Sequence, residues 1–192
     1  MACISGSIFE LSKDKSFDSL RRISGKFVSI TLIQLPEAQN IKNVLTDLRC
    51  ELNPKVSFQI INPNVVYGLE HLLRTIIISF ESKKRDCIFV RNEDIDLLLR
   101  LSYSRQVSDA IRFAGYPKSG TGCLLLYSGD KNDLVIAKRS ISRKFESGDD
   151  LDLEPNQTKK ANISVKLGID YTIFDDISFA KYLVERAALV VR

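Results

Sequence analysis

The sequence predicts a single α/β (α+β) domain, with a central, mostly antiparallel or mixed sheet flanked by about four to five helices. Three observations point there. At 192 residues, 44% hydrophobic and 27% charged, the chain can bury one core without cross-links. Stretches that alternate apolar and polar residues exchange with stretches whose apolar residues recur every three or four. Proline and asparagine stand at several of the junctions, where helices start.

Residues 1–25 read as a loosely ordered leader, because SKDKSFDSLRR has few core anchors, and residues 26–192 read as the domain. Lys26–Leu35, KFVSITLIQL, alternates as a strand does. Pro36 then suits the first position of a helix whose stripe is Ala38, Ile41, Val44, Leu45 and Leu48. VSFQIIN is a second strand, and Asn62 before Pro63 is the expected cap of a helix burying Val66, Leu69, Leu73, Ile76 and Phe80. DIDLLLRLSYS is predicted as a third strand. The helix Arg105–Ala114 follows, with Ser104 as cap, Val107, Ala110, Ile111 and Ala114 as its buried stripe, and Gly115 as a left-handed stop. CLLLYSGD and LVIAKRSI are predicted as the fourth and fifth strands, and a polar surface loop is expected near 145–160. ISVKLGIDY fits helix or strand. The chain closes on a helix over Asp176–Val191, capped by Asp175 or Asp176.

The composition argues against several classes of function. Net charge +4 and pI about 8.8 permit an acidic partner without the charge density of a nucleic-acid coat. Cys3, Cys50, Cys87 and Cys123 form no C-x-x-C pair, so a reducing compartment and no metal are expected. No secretion signal and no apolar run of membrane-spanning length occur, which makes Asn156 and Asn162 chance glycosylation matches. With one histidine, no G-x-S-x-G elbow and no H-E-x-x-H, the chain is expected to be no enzyme and to need no cofactor. Gly120–Gly122 precedes a strand, whereas a phosphate loop opens a helix.

Binding surfaces are better represented. Tyr67, His71 and Arg74 are spaced to share a helix face, with Lys83, Lys84 and Arg85 at its end, a pattern that suits either nucleic acid or a solvated helix. Arg105, Asp109 and Arg112 share an outer face, where Arg105 either meets an anion or pairs with Asp109. The last helix has two apolar rows, Phe179, Leu183, Ala187 and Val190 beside Ala180, Val184, Ala188 and Val191. Such a helix is either central to the core or covered by another protein.

INPNVVYGLEHLLRTIIISF and LLRLSYSRQVSDAIRFAGY together resemble the small kinase-binding subunit of the KEOPS/EKC complex, the PRPK-binding protein (TPRKB) family. The resemblance rests on Ile61, Asn62 and Pro63, on His71, Leu72 and Leu73, and on Leu101, Ser102, Ser104, Arg105, Val107, Ala110, Ile111 and Gly115. It covers about Lys26–Asp130, and RFAGY departs from the usual Phe-Gly-Ile ending. The resemblance implies a non-catalytic, cytoplasmic and nuclear subunit that binds a small atypical kinase/ATPase directly and other KEOPS subunits indirectly. It further implies a part in threonylcarbamoyladenosine formation on tRNA and, in some eukaryotes, in telomere maintenance. The residues expected at the kinase are Leu183, Val184, Ala187, Val190 and Arg112, and those expected at tRNA are His71, Arg74, Lys83, Lys84 and Arg105. The rival expectation is a small α/β enzyme or homodimer with an anion site near His71 and Arg105. An enzyme predicts a concave cleft there, a binding subunit a convex apolar patch.

Overall fold

The computed structural model describes residues 20–35, 41–88, 90–117, 120–146 and 153–190. Four strands, β1 (Arg21–Ile23), β2 (Lys26–Leu35), β3 (Ser57–Ile61) and β4 (Gly120–Ser128), form one antiparallel sheet in the order β1-β2-β4-β3. The central strand β4 carries Cys123, Leu124, Leu125 and Leu126 in succession, all fully buried. Both faces of the sheet are covered, so its apolar residues run continuously where a half-exposed strand would alternate. Cys123, Leu125 and Tyr127 lie with Val28, Ile30 and Leu32 on one face, and Leu124 and Leu126 lie with Ile33 and Leu35 on the other.

Helices α1 (Ile41–Glu51) and α5 (Lys131–Lys144) cover the Leu124 face with Leu48, Leu134, Ala137 and Ile141. Helices α2 (Leu69–Lys84), α3 (Glu93–Leu101) and α4 (Val107–Ala114) cover the Leu125 face with Leu72, Ile76, Phe80, Leu97 and Ala110. Helices α6 (Gln157–Leu167) and α7 (Asp176–Leu189) build a smaller core, in which Ile163, Phe179 and Leu183 surround Tyr67. The described residues thus hold seven α-helices, not four or five.

Two predicted strands account for part of that difference. DIDLLLRLSYS is α3, capped by Asn92 Oδ1, which accepts from the N–H groups of Asp94 and Ile95. Glu93, Asp94 and Asp96 in its first turn complement the helix dipole. A helix buried all round shows the same apolar run as a central strand. LVIAKRSI lies in α5, whose cap Asp130 accepts from Asn132 and Asp133, and only Leu134, Ala137 and Ile141 face inward. The stretch ISVKLGIDY begins within α6, which starts at Gln157 behind the cap Asn156 inside the expected polar loop.

Smaller corrections have local causes. Arg21–Ile23, expected in the leader, pair with β2, while residues 1–19, Pro36 and Ala38 lie outside the described residues. Asn62 caps a single turn, Pro63–Val65, and α2 starts only at Leu69. Helix α4 starts after Gln106, whose N–H donates to Ser104 Oγ at 3.1 Å. Val107 and Ile111 are 39% and 50% exposed, so Ala110 and Ala114 alone form the buried stripe. Gly115 has φ −76°, and its role is proximity rather than handedness: a Cβ there would lie 2.4 Å from the Ile111 carbonyl oxygen.

One buried polar cluster ties three helices together. The Arg100 side chain is 1% exposed and its Nε donates to Asp96 Oδ2 at 2.7 Å, with Asp96 fully buried. Arg100 also donates to Ser82 Oγ of α2 at 3.1 Å and to the Ala187 carbonyl of α7 at 3.0 Å, while Ser79 Oγ donates to Asp96 at 2.6 Å. Removing one member of such a pair strands the other charge away from water. Arg100→Met is therefore expected to cost about 3–5 kcal/mol in urea unfolding, well beyond the roughly 1 kcal/mol expected of Arg105→Met, which removes one partly buried hydrogen bond.

Candidate functional site

Helix α7 is held at both ends. Asp175 Oδ1 accepts from the Ser178 N–H at 2.6 Å. At the other end two carbonyls beyond the reach of helix bonding accept from arginines, Ala187 from Arg100 and Val190 from Arg105 Nε at 2.9 Å. Which apolar row faces inward is then decided: Phe179, Leu183 and Ala187 are fully buried and Val190 is 7% exposed. Leu183, Ala187 and Val190, expected as kinase anchors, are thus core residues of this chain. The other row faces outward, with Ala180 and Val184 half-buried and Ile177 71% exposed.

This outer row is one wall of a groove of about 620 Å³, whose other wall comes from Tyr67, Leu69 and Arg74 of α2 and its approach, with Pro155 nearby. The surface beside α7 is concave, not the convex patch expected of a binding subunit: α2 and α7 pack side by side, and His71 is among the residues that line the groove between them. Tyr67 Oη donates to Asp176 Oδ1 at 2.7 Å, and Lys160 Nζ donates to the same oxygen at 3.1 Å. These two bonds hold the Asp176 carboxyl below the usual carboxylate range, while burial and the Asp176 charge push the Tyr67 hydroxyl up. The groove is an apolar trough with a polar rim of Glu70, Arg74, Lys181 and Glu185.

The residues expected to meet tRNA are largely engaged inside the chain. His71 is 1% exposed, and Tyr67 likewise faces the core. The Tyr67 N–H donates to His71 Nδ1 at 3.2 Å, so the ring proton sits on Nε2, 3.1 Å from Tyr103 Oη. Tyr103 adopts φ +54° just past α3, a conformation uncommon for a bulky residue, and its contact with His71 anchors it. Arg74 binds Glu70 at 2.7 Å, Lys83 binds Glu93 at 3.1 Å and Lys84 binds Glu81 at 3.0 Å. Arg105 bonds the Val190 carbonyl, and Asp109 pairs with Arg112 at 2.6 Å rather than with Arg105. Arg112 stays on the surface, its side chain 79% exposed. His71 and Arg105 therefore do not form a shared anion site: one is sealed and the other caps a helix.

Arg100, Tyr103, Lys160 and Ile177 escaped the sequence reading. Only the first left a signal, an aspartate four residues before an arginine within an otherwise apolar run. Among the described residues no group of three or more His, Cys, Asp or Glu is arranged to hold a metal, and no helix is long and apolar enough to cross a membrane.

Burial lowers the His71 pKa from 6.5 to about 4. Above pH 6.5 the ring is neutral in both folded and unfolded chains, and its contribution to stability is fully present. Between pH 6.5 and about 4 the unfolded chain takes up a proton that the folded chain refuses, so stability falls with pH. The expected loss across this window is about 3 kcal/mol. Urea unfolding of His71→Gln should show a correspondingly shallower decline over the same window.

A family model described as kinase binding protein CGI-121 matches residues 37–165, from the approach to α1 into α6. No curated protein matches the chain significantly. The matched region takes in both helix-start motifs on which the family resemblance rests and spans more than half of the sequence. The chain therefore belongs to the CGI-121 family of kinase-binding proteins.

Proposed function

We propose that this protein is a non-catalytic subunit of the KEOPS/EKC complex, which binds and supports the small atypical kinase/ATPase of that assembly through the outer face of α7. The observation that carries the reading is the second apolar row of α7. Once Phe179, Leu183 and Ala187 are spent on the core, Ile177, Ala180 and Val184 remain as the wall of an apolar groove. A half-exposed apolar trough with a charged rim has the anatomy of a protein interface. Arg112, Val107 and Ile111 are exposed on α4 and offer a second candidate contact. His71 lines the groove at only 1% exposure with both ring nitrogens engaged by Tyr67 and Tyr103, which supports a binding role over a chemical one.

The same reading assigns the subunit a share in recruiting tRNA for threonylcarbamoyladenosine formation, and with it a cytoplasmic and nuclear location. Its RNA contacts are exposed cations rather than the buried His71.

The test is pull-down of the kinase by full-length variants. Burying a branched aliphatic side chain is worth about 1.5–3 kcal/mol, so Ile177→Glu combined with Val184→Glu should weaken kinase binding by roughly tenfold or more. Thermal melting checks that the fold survives. Unchanged binding by a folded double variant overturns the α7 assignment. Leu183→Glu is not a suitable probe, because it places a charge in the core.

A further inference from the structure

The cations on the outer side of α5 take no part in the core, the groove or the polar clusters. Along this helix Lys131, Val135, Lys138 and Ser142 form one row, and Asn132, Ile136, Arg139 and Arg143 form the next. The two rows carry four cations and no acid. Elsewhere Lys83, Lys84, Arg74, Arg100, Arg112 and Lys144 each have a carboxylate. Lys131, Arg139 and Arg143 have no ion-pair partner among the described residues, and Lys138 beside them keeps a contact of its own. The single acid of the helix, Asp133 in its first turn, accepts from Asn53 Nδ2 on another side.

The patch continues onto the sheet edge. Leu20 lies against Val135, Lys138, Arg139, Ser142 and Arg143 in a shallow groove of about 410 Å³. Two residues further on, the exposed Arg22 stacks on Phe27 with its guanidinium carbon 5.8 Å from the ring centroid. From Lys131 to Arg143 the cations are spread over about 18 Å of helix, an elongated track rather than a point site.

We infer that the α5–β1 face binds the phosphodiester backbone of RNA. The inference rests on the RNA part of the proposed function and deepens it by naming the surface. Guanidinium forks match phosphate oxygens, and a track of cations whose two helix rows carry no acid among the described residues is the electrostatic complement of a repeating anion. A membrane surface fits less well. An interfacial helix must present its apolar row to lipid, whereas Leu134, Ala137 and Ile141 are spent on the core and only Ile136 is widely exposed. The track lies on the sheet face opposite α2 and α3, so RNA and a kinase on α7 do not compete for one surface.

The experiment compares full-length wild type with Arg139→Gln combined with Arg143→Gln, using a tRNA transcript at several salt concentrations and phosphatidylserine-containing vesicles. The expected result is roughly tenfold weaker RNA binding, with a salt slope shallower by about 0.7–0.9 for each phosphate no longer neutralised, and kinase pull-down unchanged. Equal RNA affinity and slope in variant and wild type overturns the α5 surface while leaving a tRNA role elsewhere on the chain. Loss of vesicle binding with RNA binding intact overturns it in favour of lipid. Absence of RNA binding by wild type overturns both this surface and the tRNA part of the proposed function, and leaves the kinase part to its own test.

Discussion

The Arg100–Asp96 pair is the constraint on which the placement of the other functional elements depends. Two opposite charges buried at 1% and 0% exposure persist only if their remaining hydrogen-bonding capacity is met, and the groups that meet it come from different helices. Ser79 and Ser82 of α2 and the Ala187 carbonyl of α7 supply it. The pair therefore specifies where α7 ends relative to α2 and α3. Arg105, on the Val190 carbonyl, adds a second anchor just beyond it. With the end of α7 fixed, its Phe179–Leu183–Ala187 row settles into the core and its Ile177–Ala180–Val184 row becomes the wall of the groove.

A second polar seam closes the interior beside that groove. His71 accepts from the Tyr67 backbone and meets Tyr103, while the Tyr67 hydroxyl reaches Asp176 and Lys160. The imidazole stays neutral because burial disfavours its charged form, and a proton on Nδ1 would also face the Tyr67 N–H that donates to it. The only histidine of the chain thus works as a structural joint between α2 and the segment after α3. The groove beside α2 and the cations of α5 lie on opposite sides of one sheet.

Legibility in the sequence varied with how many faces of an element are buried. Lys26–Leu35 is legible to the residue as a strand, and Asn62 is legible as a cap, although it caps a shorter turn than expected; for the last helix the sequence offers Asp175 or Asp176, and the cap is Asp175. Helix α3 was misread because LLLRL is apolar on every side, which erases the periodicity that separates helix from strand. In α4 the reverse occurred: Val107 and Ile111 look like core by spacing, yet the two alanines take the close contact and leave the larger residues outside. The expected tRNA residues follow from charge and helix-face spacing, and neither reveals that a carboxylate such as Glu70, Glu81 or Glu93 stands beside each of Arg74, Lys83 and Lys84 on α2.

By itself the sequence determined the class of fold, the family and the presence of a last helix with two apolar rows, because these follow from local periodicity, caps and motifs. Only the tertiary structure decided which row faces out and that His71 is buried. Those outcomes depend on partners distant along the chain: Arg100 with Ala187, Tyr103 with His71, Asp176 with Tyr67. A helix's periodicity identifies its faces, and the neighbour that satisfies its buried polar groups determines which face meets water.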